Sequence, residues 1–320
     1  MMTFQKVLIP LDGSGLAEQA IAPALMLAEA MTAQVIFLSV AVPLAFNIDP
    51  KLYQRTIETN TNEAKQYLHS VQDRFSPSVD SAYETVVGPA AKTIINYAQE
   101  KEIDLIVMSS SGRFGLRFFR HPIRSFNFRK SVSHWRHASV AERVLCCAPC
   151  ATAIMHAQIE TTPFAHKHIL VPLDGSPQAE QALEPAIDVA KAVAAKLTLL
   201  RVTNPAYIRG SFGLISPSIK TKKGLHKIEK RTRMEAAEYL HNVRATLLRN
   251  HVPIKVAVAT GDDVTETIID QADKLQADLI IMSRNGRSIL NRWVFGSITE
   301  KMVRDANCAT LVVQGQEDSK

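Results

Sequence analysis

Two aspartates in matching settings are the carboxylates best placed for chemistry: Asp12 in Ile9-Pro10-Leu11-Asp12-Gly13-Ser14 and Asp174 in Val171-Pro172-Leu173-Asp174-Gly175-Ser176. Each follows an apolar run with the length of a buried strand and precedes a helical pattern, so each falls in a turn. A carboxylate there can hold a ribose hydroxyl or a metal ion on a phosphate, or can simply form the turn. The second feature is the stretch from Met282 to Thr299, which follows the apolar run Asp278-Leu279-Ile280-Ile281. Gly286 permits a sharp turn, Gly296 permits close approach of a ligand, and Ser297 can cap the following helix while its amides face an anion. Such a loop suits phosphate. Ordinary turn chemistry at a strand-to-helix junction is the other reading.

These segments belong to a unit written twice. Ala17-Glu18-Gln19-Ala20 recurs as Ala179-Glu180-Gln181-Ala182, Tyr67-Leu68-His69 as Tyr239-Leu240-His241, Asp104-Leu105-Ile106 as Asp278-Leu279-Ile280, and Cys150-Ala151-Thr152 as Cys308-Ala309-Thr310. The order is the same throughout, which marks a duplication. In the first copy the pattern predicts strands at 6–11, 34–40, 83–87, 104–109 and 151–155, and helices at 17–31, 58–75, 90–100 and 140–145. Pro23 and Pro185 fall beyond the first turn of the first helix in each copy and predict a kink. Strands alternating with helices imply α/β domains with a doubly wound parallel sheet. The expected domains are 1–160 and 161–320, with Thr161-Thr162-Pro163 as linker.

In such a sheet ligands sit beyond the carboxyl ends of the strands, where the winding direction reverses. That rule gathers the Asp12 turn, Val40 and the loop after the fourth strand in the first copy. In the second it gathers the Asp174 turn, Val202 and residues 286–297. The copies differ in length at two places. The first is longer between Phe119 and Ala138, within the run 113–137 that carries Arg113, Arg117, Arg120, Arg124, Arg129, Lys130 and Arg136 without an acidic residue. The second is longer between Arg201 and Met234, where Lys220, Lys222, Lys223, Lys227, Lys230, Arg231 and Arg233 cluster. Solvated loop is the ordinary reading of such runs, and an anionic partner is the alternative.

The composition, 46% hydrophobic and 21% charged over 320 residues, is that of a globular chain and excludes a disordered one. A formal charge of +6 favours anions as partners. The apolar run Val7 to Leu11 is too short for a secretory signal, and residues 30–48 hold too many polar groups to span a bilayer, so a cytoplasmic protein with no membrane span is expected. Cys146, Cys147, Cys150 and Cys308 are too few and too clustered for a disulfide framework. Cys147 and Cys150 have C-x-x-C spacing, but they precede a strand and lack a second pair, so neither a redox role nor a metal site is expected.

The two copies resemble universal stress protein domains, and the chain resembles a tandem universal stress protein over nearly its whole length. The matching features are the Pro-Leu-Asp-Gly-Ser turns, Asp-Leu-Ile-Val-Met-Ser at 104–109 with Gly112-Arg113-Phe114-Gly115, and Asp278 to Ser283 with Gly296-Ser297-Ile298-Thr299-Glu300. The resemblance implies a Rossmann-like, adenine nucleotide alpha hydrolase-like fold and a pocket for ATP or AMP, with Mg as an optional companion ion. Carried onto this chain, the second-copy pocket comprises Pro172, Leu173, Asp174, Val202, Met282, Ser283, Gly286, Arg287, Ile289, Gly296, Ser297 and Ile298. The first-copy pocket, the lesser candidate, comprises Pro10, Leu11, Asp12, Val40, Gly112, Arg113, Gly115, Ser139 and Val140.

Neither copy keeps the full family pattern of G-x-x-G, spacer and G-S. The first has Ala138 in place of the last Gly and an insertion at about 120–136. The second has Ile289 at the second Gly position. A β-branched residue where positive φ is needed costs about 1 to 2 kcal/mol, against about 8 kcal/mol for a micromolar ligand, so binding is weakened and not abolished. A clash of Ile289 with phosphate would favour AMP over ATP.

The expected function is therefore stress-response regulation by adenine-nucleotide binding, mainly in the second domain and without dedicated catalysis, since no obvious base or nucleophile stands near the loop. The alternatives are a slow ATPase and a scaffold for nucleic acid or a protein, using the basic insertion with Phe118, Phe119, Phe126, Phe128 and Trp135; nucleic acid is the less favoured partner. The apolar fifth strands at a sheet edge predict that the two domains pair as an intrachain pseudo-dimer, with a homodimer through helices still open.

Overall fold

The computed structural model describes residues 4–43, 50–75, 78–110, 139–156, 164–204, 222–284 and 297–314; the basic insertion, the linker and most of the glycine-rich loops lie outside them. The chain divides into two compact units, Thr3–Pro163 and Phe164–Lys320. The first runs β1 (Lys6–Leu11), α1 (Gly15–Glu18), α2 (Ile21–Met31), β2 (Gln34–Ala41), α3 (Pro50–Phe75), β3 (Ser81–Val87), α4 (Ala90–Glu100), β4 (Leu105–Ser109), α5 (Val140–Cys147) and β5 (Ala151–Met155). The second repeats it as β6 (His168–Pro172), α6 (Pro177–Glu180), α7 (Leu183–Ala192), β7 (Lys196–Thr203), α8 (Lys222–Leu247), β8 (Ile254–Thr260), α9 (Val264–Leu275), β9 (Leu279–Ser283), α10 (Ser297–Asp305) and β10 (Ala309–Val313).

All pairings within each unit are parallel. The strand order is β3-β2-β1-β4-β5 in the first unit and β8-β7-β6-β9-β10 in the second. The first strand leads outward to β2 and β3, and the chain then crosses back to β4, so the winding reverses between β1 and β4 and between β6 and β9. The inner strands β4 and β9 are buried at every residue, as the unbroken apolar runs Leu105 to Ser109 and Leu279 to Ser283 require when helices cover both faces. The outermost strands β3 and β8 share a looser, partly exposed pattern.

The expected kink takes the form of an interruption in the helical hydrogen bonding, while Gln19 and Ala20 keep right-handed helical φ and ψ. Pro23 has no amide to donate to the carbonyl four residues back, and its ring crowds that carbonyl, so the helix ends at Gln19 and restarts at Ile21; Pro185 does the same at Gln181. The long helix α3 begins at Pro50, eight residues before the expected start. Lys227, Lys230, Arg231 and Arg233 lie exposed on α8, so this part of the second basic cluster is a helix face and not a loop. The extra length of the second copy accordingly falls before Lys222, outside the described residues.

The repeated Asp-Leu-Ile segment fastens the sheet. Asp104 Oδ2 accepts hydrogen bonds from the Gln5 and Lys6 amides, both at 2.9 Å. Asp278 accepts from the His166 and His168 amides at 3.0 and 2.9 Å. Lys6 also donates through Nζ to the Lys101 carbonyl at 2.9 Å, and His168 replaces it by donating from Nδ1 to the Leu275 carbonyl at 2.8 Å. A carbonyl only accepts, so Nδ1 carries the proton and Nε2 accepts from Thr198 Oγ1 at 2.8 Å.

Burial holds His168 below the ordinary histidine value of 6.5; Lys196 and Lys255 act in the same direction, while the Leu275 carbonyl and Asp278 oppose. Below 6.5 the unfolded chain therefore binds a proton that the folded one resists, and stability falls as pH drops toward the folded value. The second unit should melt at lower temperature at pH 5.5 than at pH 7.5, with a shallower dependence in His168→Gln. Equal slopes for parent and variant across that range would exclude His168 as the cause.

Candidate functional site

At the carboxyl end of β1 the chain turns through Asp12, Gly13 and Ser14, and at the end of β6 through Asp174, Gly175 and Ser176. Gly13 and Gly175 have φ of 79° and 81°, a conformation open to glycine and costly for most other residues. Asp12 Oδ1 accepts from the Ser14 amide at 3.0 Å and from Ser14 Oγ at 2.6 Å; Asp174 Oδ1 accepts from the Ser176 amide at 2.8 Å and from Ser176 Oγ at 2.6 Å. Each serine in turn caps the short helix that follows, by accepting from the Ala17 or Ala179 amide. The turn-forming role weighed for these aspartates is thus realised in both copies, and one oxygen of each carboxylate is committed to it.

Around each turn the neighbouring strand ends collect. Pro10 and Leu11 are buried, Leu173 is buried, and Pro172 is half-buried. Val40 and Val202, both half-buried, sit near the ends of β2 and β7, paired with Val86 and Ala259. The end of β7 is fastened to the segment after β8: the Gly261 amide donates to the Thr203 carbonyl at 3.2 Å, and Asn204 Nδ2 to the Asp262 carbonyl at 2.7 Å.

On the far side of the reversal, Met282 and Ser283 end β9, each 7% exposed. Ser283 Oγ is enclosed and makes no hydrogen bond among the described residues. Its counterpart Ser109 is equally buried but does have a partner. A buried hydroxyl left unpaired is costly, and it stands where the strand order reverses.

The helices that follow the loops begin alike. Ser139 caps α5 in a reciprocal pair with Glu142: its amide donates to Glu142 Oε2 at 2.7 Å and its Oγ accepts from the Glu142 amide at 3.1 Å. Ser297 begins α10, but its side chain lies outside the described residues, so the expected cap is documented only in the first copy. Val140 and Ile298 are exposed, at 36% and 37%. Thr299 Oγ1 donates to the Arg284 carbonyl at 3.3 Å, tying α10 to the segment after β9. Gly112, Arg113, Gly115, Gly286, Arg287, Ile289 and Gly296 lie outside the described residues.

Sequence reasoning missed a tyrosine and an arginine. Tyr67 donates to Glu18 at 3.0 Å and Tyr239 to Glu180 at 2.8 Å, joining the long helix to the short one beside the aspartate turn in both copies. Burial first, and then the paired glutamate, keeps both phenols protonated well above their ordinary value; Asp12 and Asp174 add to the effect, which places them close by. The copies then diverge. Arg201, the residue before Val202, lays its guanidinium 4.7 Å from the centre of the Tyr239 ring, whereas buried Ser39 takes the corresponding place in the first unit. The second mouth therefore has a positive group on its wall. The repeat of Tyr67 as Tyr239 was the available signal; for Arg201 the duplication offers no counterpart to notice.

None of the four cysteines is in a disulfide, and burial pushes the Cys150 and Cys308 thiols up to about 12. Among the described residues no group of three side chains could hold a metal ion, and no helix is long and apolar enough to cross a membrane.

Comparison with known proteins bears on both units. The family described as "Universal stress protein family" matches at residues 3–156 and again at 165–314. A universal stress protein of Methanocaldococcus jannaschii is 30% identical over 168 residues, covering 50% of this chain and 89% of that protein. Among solved structures, a universal stress protein from Archaeoglobus fulgidus superposes with a TM-score of 0.66 at 18% identity, covering all of both chains. A protein of unknown function from Pseudomonas aeruginosa gives 0.60 at 14% identity, covering 98% of this chain and 94% of its own. At those identities the structural likeness speaks for the fold alone.

Proposed function

The chain belongs to the universal stress protein family, a family of stress-response proteins, and from that premise we propose that it is a regulator that binds adenine nucleotide, AMP or ATP, chiefly in its second unit and without dedicated catalysis. The observation that carries the choice of unit is Ser283, whose buried hydroxyl at the strand reversal has no hydrogen-bond partner among the described residues while Ser109 has a partner. Arg201 supports the same choice, because an anionic ligand gains from a cation on the wall.

In this reading the Asp174 carboxylate takes the ribose hydroxyls, the backbone at Val202 reads adenine, and the loop from Gly286 to Ser297 holds the phosphates. Pro172, Leu173, Met282 and Ile298 supply the apolar walls, and Arg287 and Ile289 limit the room around the phosphates. Any magnesium would arrive with the phosphates of ATP, since the described residues offer no ready-made set of ligands.

Mass spectrometry of small molecules released on denaturing the purified full chain should find AMP or ATP. Added AMP should also raise the melting temperature more than GTP does. No released nucleotide, together with no shift at millimolar AMP or ATP, would remove the proposal.

A further inference from the structure

The first half of α8 carries a basic face that the core of the second unit does not use. From His226 to Glu235 no residue is buried, and Ala236 is the first of the helix's described side chains that is. Within that stretch Lys227, Lys230, Arg231 and Arg233 are exposed, Met234 is 64% exposed, and Glu229 is half-buried. Of these cations only Arg231 has an ion-pair partner among the described residues, Glu235 one turn on at 2.8 Å. At about 100° per residue, Lys227, Lys230 and Arg233 follow one another at steps of about 60°, and Arg231 lies about 40° beyond Lys227. The cations therefore cover an arc of about 160°, with Lys230 and Met234 along its middle and the buried Ala236, Leu240 and Val243 outside it.

The duplication shows that the fold does not need this charge. The corresponding residues of α3 are Arg55, Glu58, Thr59 and Thr61, whose charges cancel. In α8, by contrast, Lys227 stands one turn from both Lys230 and Arg231, and Lys230 one turn from Arg233. Like charges at that spacing repel and weaken the helix, so an anionic partner would offset a cost that the first unit avoids.

We propose that this face docks in the major groove of double-stranded DNA. A helix with its side chains is about 10–12 Å across and the groove is about 12 Å wide. Phosphates line both walls of the groove, and the arc has cations on both flanks: Lys227 and Arg231 on one, Arg233 on the other, with Lys230 and Met234 toward the floor. A flat acidic surface would meet one flank at a time. An anionic membrane calls for bulky apolar side chains beside the cations, and this stretch exposes Met234 alone. Single-stranded nucleic acid calls for aromatic platforms, and residues 226–235 contain none. The proposal does not depend on the nucleotide reading.

Fluorescence anisotropy of the full chain with a labelled DNA duplex of about 20 base pairs should show binding that weakens about a hundredfold between 50 and 200 mM salt, since four neutralised phosphates give a log–log slope of about −3.6. Lys227→Gln, Lys230→Gln and Arg233→Gln combined should lower the affinity at 50 mM salt about thirtyfold or more and bring the slope to about −1. The triple variant should melt no lower than the parent, because all three side chains are exposed. Arg55→Gln with Lys65→Gln, at exposed positions of α3, should leave binding unchanged. An RNA duplex of the same length should bind more weakly, its major groove being too deep and narrow to admit the helix. The proposal is overturned by no binding at 50 mM salt, or by a triple variant that binds as the parent does. Equal or tighter binding of the RNA duplex, of polyglutamate or of phosphatidylserine vesicles would overturn it as well.

Discussion

Asp174→Ala combined with Gly296→Val should abolish the rise in melting temperature that AMP produces, whereas Asp12→Ala should leave most of it. A ligand at a hundred times its dissociation constant stabilises the folded state by about 2.7 kcal/mol, which for a unit of this size is roughly 5 to 11 °C. The first substitution removes the carboxylate proposed to hold ribose, and the second places a branched side chain where the phosphates are proposed to approach. Asp174 also shapes its own turn, through 2.8 and 2.6 Å hydrogen bonds from Ser176, so the ligand-free variant will itself melt somewhat lower. The quantity that decides is therefore the ligand-dependent difference for each variant. A response retained in the double variant and lost in Asp12→Ala would move the nucleotide to the first unit.

Asp278→Ala should be the most damaging single change to the second unit that leaves its apolar core intact. The side chain accepts from two backbone amides, His166 and His168, at the start of the central strand β6. Hydrogen bonds to a charged acceptor contribute about 1.5 to 3 kcal/mol each, and the half-buried position discounts that, so the loss should be about 2 to 4 kcal/mol, or roughly 4 to 16 °C in melting temperature. Asp278→Asn, which keeps one accepting oxygen, should fall in between. Hydrogen exchange gives the local signature: the β6 amides should exchange faster in Asp278→Ala, and the β1 amides in Asp104→Ala. A drop below about 1 kcal/mol with unchanged exchange at β6 would show that the carboxylate does not order this strand.

Asp278 also shows where reading the chain residue by residue stops. The motif Asp-Leu-Ile was visible twice, and its apolar part was rightly placed as an inner strand. That its aspartate fastens the start of another strand was not visible, because the partners lie 98 to 112 residues away. The long helix failed differently. Its expected start at Glu58 rested on apolar periodicity, but residues 50–57 pack no buried side chain and Leu52 is 55% exposed, so no core-facing pattern existed to mark the first two turns. Pro23 and Pro185 were legible as disruptions because the missing amide is local chemistry.

The sequence by itself determined the duplication, the alternation of strands and helices, the parallel class of sheet, and the turns at the two aspartates. Each of these depends on a residue and its near neighbours, where the period of apolar positions and the sterics of glycine and proline act. Tertiary structure alone decided that Ser283 has no hydrogen-bond partner among the described residues while Ser109 has a partner, that Arg201 covers Tyr239, and that Asp188 is buried against a cavity. Hydrogen-bond satisfaction and desolvation are set by atoms brought from distant segments, and a chain of residue types does not specify them until the fold has closed around each group.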